Sequence, residues 1–207
     1  ITQMQLSEDE AEKMAIENVN RLPLWAHRQE ILHDIKNIII TDVGSTTTKV
    51  LLSLAKTHMC IVSGRPSHGK VLVAMDGSEG AMRALDYLCG LKGAISGEVI
   101  LFHAIRHIGF TSAQPFQEIE KQVWKDAKEA IYPTMTECKR RLISSGIEGS
   151  KIKVRIVTGV NSRSGALIEE AWRSKCGTIM VGRTGVSQVE DFNIGRVSNK
   201  VIHQATD

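Results

Sequence analysis

Val71-Leu72-Val73-Ala74-Met75-Asp76-Gly77-Ser78 decides how the rest of the chain is to be read. A short, branched, apolar run that halts at once in Asp-Gly-Ser reads as a buried parallel strand followed by a tight turn. Ser78 is a good N-cap, and Ala81, Met82, Leu85, Leu88 and Cys89 recur at three- and four-residue steps until Gly90 and Gly93, which predicts a helix. Glu98 to Ala104 (Glu-Val-Ile-Leu-Phe-His-Ala) is a second strand, so the unit is βαβ. Outward from it, Gly109 to Pro115 reads as a loop, and Phe116 to Ser145 as a long helix with an apolar stripe of Ile119, Val123, Ala127, Ile131, Met135, Cys138 and Leu142. Pro133 is expected to kink or split that helix. Gly146 and Gly149 end it, Lys151 to Val157 alternate as a third strand, Gly165 to Arg173 make another amphipathic helix, and Gly177 to Val181 a fourth strand. Strands alternating with helices predict an α/β fold, a twisted parallel sheet with helices on both faces, Rossmann-like. Such sheets bind ligands at the carboxyl ends of their strands, where the strand order reverses.

The composition allows this and excludes other classes. With 207 residues and 42% hydrophobic content, the chain has enough apolar material for a packed core. The net charge of +3 arises from 26 basic and 23 acidic residues spread evenly, without the single-sign block expected of a nucleic-acid or membrane-surface protein. No apolar run approaches the ~20 residues of a membrane helix. Cys60, Cys89, Cys138 and Cys176 lie far apart without a CxxC pair, a pattern of reduced thiols that favours the cytoplasm.

After the fourth strand, Val181-Gly182-Arg183-Thr184-Gly185 is followed by nine residues and then by Gly195-Arg196-Val197-Ser198-Asn199-Lys200-Val201-Ile202. Two glycine clusters bracket a loop, and the second opens an apolar helical segment. Residues without a Cβ let phosphate oxygens approach backbone N–H groups, and a helix N-terminus adds its dipole. This Gly-x-x-Gly-nine residues-Gly spacing resembles the nucleotide loop of the ATP-binding universal stress proteins, and Val71 to Ser78 resembles their opening strand. The resemblance spans Lys70 to Asp207 and implies an adenine nucleotide alpha hydrolase-like fold that holds ATP. It also implies a candidate nucleotide-binding set: Ala74, Met75 and Asp76 after the first strand, the backbone of Ala104 at the adenine, and Val181, Gly182, Arg183, Gly185, Gly195, Arg196, Val197 and Ser198 around the phosphates. Asp76 is placed near the ribose, or as ligand of a magnesium ion carried with ATP. One departure stands out: the family pattern has Ser or Thr directly after the third glycine, whereas this chain has Arg196. Either Arg196 replaces the hydroxyl with a charge-assisted bond to phosphate, or its bulk closes the pocket. A plainer alternative is that the glycines only shape a strand-to-helix turn.

The N-terminal third has two readings. Ile38-Ile39-Ile40-Thr41-Asp42-Val43-Gly44-Ser45-Thr46-Thr47-Thr48-Lys49 resembles the phosphate hairpin of sugar kinases and actin, but too little chain follows for the two large domains that fold needs. Better, Gly44 to Leu51 aligns with Gly195 to Ile202, and Ala55 to Val62 resembles the last strand of a stress-protein domain, so residues 1–62 read as the tail of a partial or degenerate preceding copy. Ile31 and Asp34 stand where its other two glycines would be, and Leu6 to His33 reads mostly as helix. Residues 63–69 are then a linker, and residues 70–207 a stress-protein domain lacking its final strand, for which Met59 to Val62 is a substitute or a strand for another chain to pair with.

Smaller signals have plain readings. His103 and His107 lack a third ligand at metal spacing, so no zinc site is expected, nor a haem. Trp124 and Trp172 read as packing residues, and the charges from Glu118 to Arg141 as a solvated helix face. No Ser-His-Asp or Cys-His set is evident. The leading expectation is an ATP-binding stress-response regulator working through a homodimer or paired tandem domains. A weak ATPase or autophosphorylating enzyme and a nucleotide-free interaction module are the alternatives.

Overall fold

The computed structural model describes residues 38–42, 58–62, 69–91, 95–108, 114–185 and 194–205. The expected helix between Leu6 and His33, and Lys49 of the kinase-like stretch, lie outside them. Two strands come first, β1 (Ile38–Asp42) and β2 (His58–Val62), followed by β3 (Val71–Ala74), α1 (Glu79–Gly90), β4 (Val99–Arg106) and α2 (Gln114–Ser144). A 3-10 turn (Gly149–Lys151), β5 (Ile152–Val160), α3 (Arg163–Arg173), β6 (Thr178–Met180) and α4 (Arg196–Gln204) complete the described chain.

β3 to β6 form one sheet in the order β5-β4-β3-β6, with every neighbouring pair parallel. Alternation decides the layers. Val71, Val73 and Met75 of the first strand and its exit face one side, with Ala81, Leu85 and Leu88 of α1 and Met135, Cys138 and Leu142 of α2. Leu72, Ile100, Phe102 and Ala104 face the other, with Leu167 and Ala171 of α3 and Val201 of α4. Each fully buried Leu or Val contributes about 1.5–3 kcal/mol of apolar burial, so both interfaces are strongly specified. The expected three-layer α/β fold is therefore present, with helices on both faces.

Three expectations need correction. Pro133 neither ends nor splits α2, which runs unbroken through it. A helix-interior proline costs about 3 kcal/mol, and the buried Met135, Cys138 and Leu142 on one side of it, with half-buried Trp124, Ala127 and Ile131 on the other, offset that cost. The apolar stripe is also misassigned at its start: Ile119 and Val123 are exposed, and Glu120 and Trp124 turn inward instead. Trp124 lies against Gly159, where a Cβ would be 3.0 Å from the indole ring, and its Nε1 donates to the Arg106 carbonyl. Trp172, expected to be a core or helix-packing residue, is 62% exposed on α3.

β2 does not join the four-stranded sheet. It pairs in parallel with β1, Ile38 opposite His58 through Asp42 opposite Val62, in a separate two-stranded sheet. A phosphate hairpin would make its strand pair antiparallel; the described partner of β1 is parallel and lies fifteen residues of connection away, from 43 to 57.

Candidate functional site

β3, β4 and β5 progress to one side, and β6 lies on the other side of β3, so the order reverses between β3 and β6. Their carboxyl ends carry the two glycine-containing stretches singled out in the sequence. Past β3, Gly77 adopts φ +76, a left-handed turn that glycine takes without a Cβ penalty. The turn lets Asp76 Oδ1 accept from the Ser78 amide at 2.9 Å, and lets Ser78 Oγ accept from the Ala81 amide at 3.2 Å as the N-cap of α1.

The loop after β6 lies directly on this turn. A Cβ on Gly182 would be 2.5 Å from the Gly80 carbonyl carbon and 2.6 Å from the Ala81 nitrogen, and one on Gly80 would be 2.5 Å from the Thr184 carbonyl oxygen. The two backbones touch, and Ser78 Oγ also donates to the Thr184 carbonyl at 3.4 Å. Across the loop, a Cβ on Gly185 would fall 2.7 Å from Asp76 Oδ2, so the carboxylate lies over that glycine. The Gly195 amide donates to the Arg183 carbonyl at 2.7 Å, which ties the far end of the loop back to its start. Ser198 is buried and its hydroxyl donates to the Gly182 carbonyl at 2.6 Å, so its proton holds α4 to the loop.

α4 differs from the other helices whose N-caps are described. Ser78 caps α1 and Ser162 caps α3 through side-chain oxygens, whereas Gly195 caps α4 with no side chain. Among the described residues no side-chain cap accepts from the first-turn amides of α4, which lie at the positive end of the helix dipole and next to a glycine-containing turn. Arg196, the first helical residue, is exposed. Arg163 opens α3 after β5, Arg183 follows β6 and Arg196 opens α4, so each follows the carboxyl end of a strand, as Asp76 does after β3.

The remaining candidates divide. Met75 is 2% exposed and Val181 half-buried, and both side chains belong to the cores. Ala74 and Val197 also pack against a core cluster. Ala104 is 6% exposed, and its carbonyl accepts from Arg163 Nε at 3.3 Å. The two histidines do not act as a pair. His103 Nδ1 donates to the Met75 carbonyl at 2.5 Å, bracing the exit of β3, while His107 Nδ1 lies 2.7 Å from Glu120 Oε1. Sequence reasoning missed Gly80 and Arg163. A glycine inside the first turn of a helix was the available signal for Gly80, because a helix former is otherwise preferred there. Arg163 had no signal, since only the fold brings α3 to the end of β4.

Glycines at the start and end of the stretch after β6 thus lie at the reversal point of a parallel sheet, beside the N-terminus of α4. A model of the universal stress protein family matches residues 68–206. The chain belongs to that family. Among solved structures it is similar to hypothetical protein MJ0577, the subject of a structure-based assignment of biochemical function, at 26% identity and a TM-score of 0.57, covering 66% of this chain and 89% of that one. Universal stress protein UspA from Lactobacillus plantarum has the same fold at 13% identity and a TM-score of 0.57, over 66% and 91% of the two chains. A universal stress protein from Archaeoglobus fulgidus matches at 20% identity and a TM-score of 0.50 over 85% of this chain and 60% of its own.

Proposed function

We propose that the chain is a stress-response regulator that holds ATP in the cleft between β3 and β6 and signals through the loop from Gly182 to Ser198. The observation that carries the reading is the N-terminus of α4, which has no side-chain cap, meeting a turn in which the α1 backbone leaves Gly182 no space for a Cβ and the Asp76 carboxylate lies over Gly185. The residues suit a triphosphate. The amides after Gly195 and the loop glycines would take phosphate oxygens, the exposed Arg196 would add charge, and Ser198 would keep the loop seated on α4. Asp76, lying over Gly185, would repel phosphate by itself, which favours a magnesium ion shared between its carboxylate and the phosphates. That ion would neutralise charge in the cleft.

Arg196 is exposed and makes no hydrogen bond or ion pair among the described residues, which favours an open cleft over one plugged by its side chain. The reading extends to a homodimer or tandem pairing in the cytoplasm. Support for a tandem origin comes from the parallel β1–β2 pair and from the longer match to the Archaeoglobus fulgidus protein, which reaches beyond one domain. Burial pushes the thiols of Cys138 and Cys176 up to about 11, which keeps them protonated at neutral pH.

Calorimetric titration with ATP and magnesium, beside an Arg196→Ser variant, tests the proposal. Saturable binding by the parent protein is expected. Binding only by the variant would mean that Arg196 closes the site and that the domain acts as an interaction module. An Asp76→Asn variant that keeps binding but loses a measurable turnover of the parent would move the reading to a slow ATPase.

A further inference from the structure

The end of the sheet away from the glycine loop carries a cluster of charge of its own. β3, β4 and β5 are parallel, so their amino ends share one edge, where Val71 is level with Val99 and Val99 with Ile152. The end of α3 lies beside that edge, and the two together wall a groove of about 600 Å³. Four of its cations are held in two clamps. Lys70 Nζ lies 2.9 Å from Glu98 Oε2 and Lys153 Nζ 2.5 Å from Glu98 Oε1, so one carboxylate holds both ammonium groups. Arg155 Nε lies 3.3 Å from Glu170 Oε1, Arg173 Nη2 bonds Oε2 of the same carboxylate, and Ser174 Oγ donates to Oε1 at 2.9 Å. Glu170 is buried while both guanidinium side chains are exposed, so the arginines turn their remaining donors to the groove.

A fifth cation, Lys175, is exposed and makes no ion pair or side-chain hydrogen bond among the described residues. Its φ of 54 falls where the chain leaves α3 and the Cys176 amide returns to the Ala171 carbonyl, a position that usually takes glycine. A lysine there is held against backbone preference. Attraction to the negative end of α3 accounts for Arg173 and Lys175. It does not account for Lys70, Lys153 and Arg155, which come from the sheet.

We infer that this groove is an anion site separate from the cleft at the carboxyl ends of the strands, and that it takes a compact oligophosphate of two or more linked phosphate groups. The inference is independent of the nucleotide reading. Five cations against two carboxylates leave an excess equal to the net charge of +3 of the whole chain, gathered on one concave surface that focuses its field. Arginine forks match phosphate oxygens in pairs, and two separate clamps hold two groups better than one. Ile100 and Val154 are the apolar walls, and no aromatic ring lines the groove, so the ligand is read through its phosphates and not through a stacked base.

Amide NMR spectra of the full chain, titrated with sodium tripolyphosphate and separately with orthophosphate and with citrate, map where each anion sits. Saturating shifts are expected at Lys153, Arg155, Arg173 and Lys175. Tripolyphosphate should bind there about tenfold or more tightly than the other two, the scale of one further hydrogen bond to a charged group. Lys153→Gln and Lys175→Gly should each weaken the groove response by about tenfold and leave any shifts between Gly182 and Ser198 in place. Because glycine relieves the left-handed backbone, Lys175→Gly should melt at or above the temperature of the parent, which separates lost binding from lost folding. Shifts absent from the groove, equal binding of the three anions, or a groove response unmoved in both variants overturns the proposal.

Discussion

A single methyl group at position 182 has nowhere to go, because two backbone atoms of α1 stand within 2.6 Å of where it would lie. Backbone cannot rotate away as a side-chain end does, so Gly182→Ala must push the loop off α1. We expect a loss of about 1–3 kcal/mol, the usual scale of overpacking, together with loss of ATP binding, read by urea denaturation and titration. Gly80→Ala attacks the same contact from the other side, and the double variant should cost less than the sum of the two. A second residue-scale prediction concerns Glu170, which is 3% exposed in its side chain and bonded by Ser174, Arg173 and Arg155. Burial alone would raise its carboxyl, but the hydrogen bonds from Ser174 and Arg173 and the charges of Arg155 and Arg173 outweigh burial and hold it below the usual value. A carboxyl depressed in the folded state contributes stability that is complete above its unfolded pKa, about 4.3, and is lost as pH falls through the folded value. Glu170→Gln should therefore be less stable than the parent at pH 7, and the gap should narrow as the denaturation is repeated below that pKa.

The element scale belongs to α2 and α3, whose two tryptophans look alike in sequence and differ in structure. Trp124 is half-buried against Gly159 and the end of β4, whereas Trp172 is 62% exposed. Trp124→Ala should cost about 2 kcal/mol from lost apolar burial, while Trp172→Ala should fall within about 0.5 kcal/mol of the parent. Chemical denaturation of the two variants side by side checks this. Helical periodicity identified α2 but not which stripe of its first half faces inward. Residues 119 and 123 lie on one stripe and 120, 124 and 127 on the next, and the choice between them was made by Gly159, which leaves room for an indole, and by Glu120, which accepts from the Ile108 amide at 3.0 Å. Pro133 was misread for a related reason. Local propensity opposes a helix there, but the apolar contacts of Met135, Cys138 and Leu142 hold the segment as a helix whatever the proline prefers.

At the scale of the whole molecule, a ligand that binds only the folded chain stabilises it by mass action. ATP at a hundred times its dissociation constant should add about 2.7 kcal/mol, a rise in melting temperature of roughly 5–10 °C, and Gly182→Ala should abolish the rise. The sequence by itself determined the order and type of the elements from β3 to α4, because each strand is a short apolar run ended by a turn and each helix keeps a three- and four-residue period. It also determined the family, because the glycine spacing after the fourth strand is a backbone requirement written directly in residue identity. Tertiary structure alone decided the pairings. It placed β2 beside β1 instead of at the edge of the larger sheet, set Asp76 over Gly185, and carried Arg163 to the Ala104 carbonyl, 59 positions away in the chain. Periodicity reports which face of an element is apolar. It carries no information about which distant backbone that face or its flanking polar groups will meet, and the cleft of this protein is built almost wholly from such meetings.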